Sequence, residues 1–191
     1  MNAKALFAPA VVVGVLALLP LARLVELPVL VMLVAGLHLL WRHRERALFV
    51  GGGLTAALFA AYWSPALLAG VDAVNPAKSW ATTLAVVRFL PMALWIAWAL
   101  DEEQRTLVLY ASGAIVAFWA ADALFQAAVG FNLLGMPLSD ERLNGVFGTT
   151  NIKLGHVLAV LSPLAIEAGR RSGRRWLLAG VYGLLLAAII L

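Results

Sequence analysis

Long apolar stretches separated by short polar segments dominate this 191-residue chain. The apolar residues occur in continuous runs without the two-residue alternation of a membrane barrel, so the pattern predicts helices. A helix needs about 20 apolar residues to cross a bilayer. We therefore predict an all-α fold, a polytopic membrane helix bundle, with about seven spans near residues 6–21, 27–41, 47–62, 80–100, 106–129, 152–168 and 176–191.

Composition supports a membrane protein. Hydrophobic residues make up 63% of the chain and charged residues 13%, whereas soluble domains have about 45–50% and about 25%. The net charge of +4 comes from basic residues in short segments between apolar runs. Such residues set topology, so we do not expect nucleic acid as a partner. The absence of cysteine excludes disulfides and thiol nucleophiles.

The basic segments also predict an orientation. Segments 42–46 and 170–175 and the turn at Arg105 lie on one side if every predicted span crosses the membrane. The positive-inside rule assigns that side to the cytoplasm. The N-terminus, with Lys4, is then cytoplasmic, and the loop at 130–150 faces the opposite side.

The last apolar run ends at Leu191 without a polar flank. A membrane protein rarely stops within a span. We therefore expect residues 1–191 to form the N-terminal part of one transmembrane domain that continues with further spans.

A polar segment rich in glycine, threonine and asparagine, 140–151 (DERLNGVFGTTN), lies directly before a predicted helix. A helix start offers unpaired N–H groups that suit an anion such as phosphate. Arg142 adds a planar donor fork, Lys153 adds a second charge, and glycines allow close approach of backbone to a ligand. The alternative is an ordinary polar loop with a helix N-cap at Thr149, Thr150 or Asn151.

Arg88 is predicted about 12 Å inside the fourth span, at 1.5 Å per residue from Trp80. An arginine there is costly, and Pro91, three residues on, loosens the helix backbone. We predict that Arg88 binds a ligand in an outward-facing cavity. The alternative is a pair with a buried acid, for which Asp122 is the candidate. Asp122 and Gln126 share a face of the fifth span, and either line that cavity or fix a helix contact.

Tryptophan and histidine positions fit structural roles. Trp95 and Trp119 lie deep in predicted spans and are expected to pack between helices. His38 and His43 lie near a span end and are expected at the membrane interface. No phosphate-binding glycine loop and no metal-ligand spacing occurs. We therefore expect no metal and no cofactor.

The segment from Arg142 to Gly148, RLNGVFG, followed by Asn151 and an apolar helix, resembles the R-x-x-G-x-F-x-x-x-N pattern of bacterial O-antigen ligases and O-antigen polymerases. The order of features is also similar to that family: several plain spans, this motif on the periplasmic side, then a basic cytoplasmic turn. The resemblance covers residues 80–191 and implies a GT-C-like helical fold. Gly145, Phe147 and Gly148 belong to the motif loop.

The resemblance implies a metal-independent glycosyltransferase of the bacterial inner membrane, acting on the periplasmic face. It would transfer a glycan from undecaprenyl diphosphate to an acceptor, which for the ligase is lipid A-core, with membrane lipids around it. By resemblance Arg142 contacts the carrier diphosphate. We add Arg88, Asn151 and Lys153 as expected diphosphate contacts, Arg88 from physical inference. The family's catalytic histidine would lie beyond Leu191.

Two other functions stay open, an O-antigen polymerase and a transporter. A polymerase differs from a ligase in its acceptor, and no residue of this sequence identifies the acceptor. A transporter of an anionic lipid or solute would also hold arginines in a cavity, and broken helices or repeats would favour it.

Overall fold

In the computed structural model, the described residues are 3–43, 45, 51–138, 143–148 and 154–190. They form α-helices and two short 3₁₀ helices, and no strand is assigned within these ranges. The α-helices are α1 Ala3–Leu18, α2 Glu26–Arg42, α3 Gly52–Ala69, α4 Pro76–Val86, α5 Phe89–Ala99, α6 Glu102–Val129, α7 Leu154–Arg171 and α8 Arg175–Ile190. The 3₁₀ helices are Leu19–Val25 and Gly145–Phe147.

Within the described residues, four helical segments are long and apolar enough to cross a membrane: Arg23–Arg42, Gly52–Ala69, Pro76–Ala99 and Glu102–Val129. Leu6–Leu21 and Arg175–Ile190 are apolar but shorter. The all-helical class is therefore confirmed for the described residues, and four of their helical segments are candidate membrane spans. The count of seven spans stays a prediction.

The predicted spans near 47–62 and 80–100 leave residues 63–79 as the loop between them, and this prediction is wrong at both ends, because α3 continues to Ala69 and α4 begins at Pro76. Pro65 lies inside α3 and cannot donate to the carbonyl oxygen of Ala61 four residues earlier. The hydroxyl of Ser64 donates to that oxygen at 3.5 Å. This side-chain bond partly satisfies the freed carbonyl, so the helix continues through the proline.

The same arrangement occurs in α7. Pro163 lies inside this helix, and the hydroxyl of Ser162 donates to the carbonyl oxygen of Ala159 at 2.9 Å. Ala159 is again the residue four before the proline. In both helices the carbonyl oxygen that the proline leaves free therefore accepts from the hydroxyl of the preceding serine.

The predicted fourth span is interrupted between α4 and α5, at Val87 and Arg88. Pro91 has no N–H to donate to the carbonyl oxygen of Val87. That oxygen instead accepts from the N–H of Leu90 at 3.1 Å, three residues on. The expectation that Pro91 loosens the backbone beside Arg88 is confirmed.

The chain divides into two compact units. The first comprises Met1–Val12 and Glu26–Glu102. In it, α5 packs against α2 and α3. Trp95 of α5 is buried, as predicted. The indole N–H of Trp63 in α3 donates to the carbonyl oxygen of Thr83 in α4 at 2.9 Å.

The second unit comprises Val13–Val25 and Glu103–Leu191. Its core forms where the buried face of α6 meets those of α7 and α8. Gly113 of α6 allows close contact with α7, since a Cβ built there would lie 2.7 Å from the Cβ of Ala168. The members of this core include Val116, Trp119, Ala120, Ala123, Leu154, Leu158, Ala165 and Leu185. Trp119 therefore packs between helices, as predicted.

Candidate functional site

Of the seven predicted site residues, three lie outside the part of the chain that the structure describes and four lie within it. Arg142, Asn151 and Lys153 lie outside the described residues, as do the alternative N-caps Thr149 and Thr150. Gly145, Phe147 and Gly148 are described and form a 3₁₀ turn and its end in the second unit. Arg88 is described in the first unit.

Gln126, fully buried near the end of α6, holds the 3₁₀ turn Gly145–Phe147, which we call the motif turn. Its side-chain oxygen accepts from the backbone N–H groups of Asn144 at 3.0 Å and Gly145 at 2.8 Å. Its side-chain nitrogen lies 3.3 Å from the carbonyl oxygens of Met136 and Pro137, to which it donates. One amide therefore joins α6 to both sides of the loop.

Asn132 is a second buried centre of this loop. Its side-chain oxygen accepts from the N–H groups of Leu134 at 3.0 Å and Met136 at 2.8 Å. Its side-chain nitrogen donates to the carbonyl oxygen of Gly145 at 2.6 Å. Asn132 thus fixes its own turn and connects that turn to the motif.

Asp122, one helical turn before Gln126, binds the same loop. Its Oδ1 accepts from the N–H of Leu133 at 2.8 Å. Asp122 and Gln126 both bind the backbone of the following loop, whereas the structural role predicted for them was a contact with another helix. Asn132 was not among the residues predicted from the sequence. The sequence does carry a signal for it, because asparagine between Gly130 and Gly135 is typical of a side-chain-stabilised turn.

The three motif residues that are described each meet a structural need. Gly145 has φ +49, and a Cβ there would lie 3.1 Å from Oδ2 of Asp122. The ring of Phe147 is buried edge-on against Trp119, with 5.1 Å between centroids. Gly148 has φ +72, and a Cβ there would lie 3.1 Å from the sulfur of Met136. The close approaches that these glycines allow are to protein atoms.

Replacing Gly145 with alanine is expected to lower the free energy of unfolding by about 1–3 kcal/mol, the cost of a left-handed backbone without glycine. The new methyl group would also crowd Asp122. Gly135→Ala is the matched control, since Gly135 has φ +77 but open space around it. The melting temperature in detergent should fall further for Gly145→Ala. Equal losses would mean that the contacts to Gly145 add nothing.

Three buried polar atoms beside the motif turn have no hydrogen-bond partner among the described residues: Oδ2 of Asp122 and both side-chain atoms of Asn144. Asp122 is fully buried and Asn144 nearly so. Buried polar atoms are nearly always satisfied, by protein, water or an ion. The described part of the motif turn therefore offers a carboxylate oxygen and an amide that can bind a donor or a cation.

Arg88 lies at the break between α4 and α5. Its guanidinium is 3.9 Å from the carboxylate of Glu26, and both side chains are exposed, at 44% and 61%. It also lies 5.2 Å from the ring centre of Phe89. The acid that Arg88 contacts is therefore exposed Glu26, and the described polar contact of Asp122 is to Leu133. A long, exposed ion pair is weak, so Arg88 can exchange Glu26 for an anionic ligand.

Comparisons of the chain with protein-family models, with curated proteins and with solved structures found no match. Evidence for a function therefore comes from the sequence motif and from the geometry of its loop.

Proposed function

We propose that this chain is part of an O-antigen ligase-like glycosyltransferase of the bacterial inner membrane. It would transfer a glycan from undecaprenyl diphosphate to lipid A-core. The motif loop would be periplasmic and the N-terminus cytoplasmic, as the basic segments predict. The observation that carries the proposal is the motif from Arg142 to Asn151, whose described glycines and phenylalanine form one turn fixed to the end of α6.

The fixed turn supports this proposal because catalysis by electrostatic stabilisation needs preorganised groups. Gln126 and Asn132 bind the backbone at Asn144 and Gly145, two and three residues after Arg142. A rigid backbone beside Arg142 limits the conformations that its side chain must lose on binding a ligand.

In the proposed step, an acceptor hydroxyl oxygen forms a bond to the anomeric carbon of the glycan. The bond from that carbon to the carrier diphosphate breaks, and its electron pair leaves on the diphosphate. The hydroxyl proton passes to a base that we do not assign. Arg142 would stabilise the charge that develops on the diphosphate, through paired N–H···O bonds.

The test is complementation of a strain that lacks O-antigen ligase, with the full-length gene, scoring lipopolysaccharide ladders on gels. The wild type should restore the ladder. Arg142→Ala should reduce it by about 100-fold or more at equal membrane abundance, the usual cost of removing one group that stabilises developing charge. Arg23→Ala is the control, since it removes an exposed arginine outside the proposed site and should leave the ladder intact.

A second comparison separates ligand binding from a structural role of Arg142. Oδ2 of Asp122 has no partner among the described residues, so Arg142 as its counter-ion is the competing explanation. In that case the double variant Arg142→Ala/Asp122→Asn should restore the ladder that Arg142→Ala loses. The second substitution removes the carboxylate charge that would otherwise be buried and unpaired. Failure of Asp122→Asn to rescue supports the diphosphate contact. A full ladder in Arg142→Ala would overturn the proposed site.

One observation favours a transporter as the second candidate. The helix break at Val87 and Arg88 leaves a cationic side chain at interrupted backbone, an arrangement that transporters use at binding sites. If the wild type restores neither a ligase-deficient nor a polymerase-deficient strain, transport of an anionic lipid or solute becomes the leading proposal.

A further inference from the structure

A groove of about 630 Å³ runs along α2 in the first unit. Leu30, Val34, His38 and His43 line one wall, and Trp95 and Trp98 of α5 line another. We call this surface the α2 groove. Leu30 and Val34 are 56% and 58% exposed, so the groove is accessible from the apolar surface of a candidate membrane span.

The chemistry of the α2 groove changes along its length. Its lining is aliphatic at Leu30 and Val34 and becomes amphipathic at His43 and Trp98. The rings of His43 and Trp98 are stacked, with centroids 6.2 Å apart and planes inclined by 14°. Indole and imidazole rings have an apolar body and a polar N–H edge, so they suit the interface between the membrane and water.

The length of the groove fits one leaflet. Thirteen residues separate Leu30 from His43, which corresponds to about 20 Å along a helix. The hydrocarbon core of a bilayer is about 30 Å thick, so one leaflet contributes about 15 Å. A single acyl chain that starts at the interface therefore reaches the aliphatic part of the groove.

The interfacial end of the groove adjoins positive charge. His43 lies within Arg42-His43-Arg44-Glu45-Arg46, which holds three arginines and one glutamate. Arg42 is exposed. Basic segments next to a membrane helix attract anionic lipid headgroups. The groove thus combines an apolar channel with an anion-attracting end, in the order in which a phospholipid presents them.

We propose that the α2 groove holds one acyl chain of an anionic phospholipid, with the headgroup phosphate at Arg42 and His43. The expected occupant is a phosphatidylglycerol-type lipid of the leaflet that contacts the basic segment. This proposal is independent of the glycosyltransferase proposal.

The test uses the purified full chain in phosphatidylcholine vesicles that contain a lipid with brominated acyl chains. Bromine quenches tryptophan fluorescence at contact, and Trp95 and Trp98 line the groove. Brominated phosphatidylglycerol should quench more than brominated phosphatidylcholine at the same bromine content. Arg42→Gln should lower this preference about fivefold, the effect of one cation near an anionic surface.

Groove occupancy is tested by a matched pair of variants on α2. Ala35 lines the groove, so Ala35→Phe should fill it and abolish the excess quenching. Leu37 is exposed, at 53%, and does not line the groove, so Leu37→Phe should behave as wild type. If Ala35→Phe does not fold, Trp98→Phe should lower the excess quenching instead, because only Trp95 then remains in the groove to report it. Equal quenching by the two lipids in the wild type, or excess quenching that survives in Ala35→Phe, would overturn the proposal.

Discussion

Replacing Gln126 with leucine is expected to release the loop that carries the motif turn. Leucine fills a similar volume but accepts no hydrogen bond, so the N–H groups of Asn144 and Gly145 lose their acceptor. Each buried donor left unsatisfied costs about 1–3 kcal/mol, so the expected loss for two is about 2–6 kcal/mol. The carbonyl oxygens of Met136 and Pro137 lose a donor as well.

The measurement is hydrogen exchange, followed by mass spectrometry, on peptides that cover residues 130–148 in the purified protein. Exchange in this segment should accelerate in Gln126→Leu, while peptides from α3 and α5 should be unchanged, since they belong to the other unit. Ala128→Leu is the control, because Ala128 is exposed on the same helix turn. If both variants exchange alike, Gln126 does not hold the loop.

The same variant also bears on the proposed function. Arg142 lies two residues before Asn144, the first residue that Gln126 binds at the motif turn. Under the ligase proposal, Gln126→Leu should therefore weaken the ladder at equal membrane abundance even though it leaves Arg142 in place. A full ladder with a loosened loop would mean that the fixed turn is not needed for transfer.

The sequence predicted the helices because their apolar runs are long and continuous. It failed at Pro65 because proline is normally read as an end of a helix. The carbonyl oxygen that Pro65 leaves free accepts from the hydroxyl of Ser64, but α1 also continues through Pro9, which follows Ala8. The helix breaks at Pro91, so the residue before a proline does not by itself decide whether a helix continues.

The site was predicted less completely for a different reason. The spacing of Asp122 and Gln126 placed them on one face, but only the structure shows that this face binds the backbone of Leu133 and Gly145. The partner of Arg88 is Glu26, 62 positions away in the chain. Contacts between distant segments depend on how helices pack, and a single sequence does not specify that register.

Gly36→Ala is expected to be the most damaging small substitution in the first unit. A Cβ at Gly36 would lie 2.1 Å from the carbonyl oxygen of Pro91 and 2.4 Å from its carbonyl carbon. Both atoms are backbone, so relief requires α2 and α5 to move apart. Overpacking of this kind costs about 1–3 kcal/mol or more, and small residues are what allow membrane helices to approach closely.

Gly180→Ala provides the contrast, because Gly180 also lies in a helix but has no atom within 4 Å of its Cβ position. Alanine favours helix over glycine by about 1 kcal/mol, so this variant should melt at the wild-type temperature or slightly above it. Gly36→Ala should melt several degrees lower in the same detergent. It should also distort the α2 groove, whose two walls come from α2 and α5, and so reduce quenching by brominated phosphatidylglycerol. Similar melting of the two variants would show that the close contact between Gly36 and Pro91 is not maintained in the folded protein.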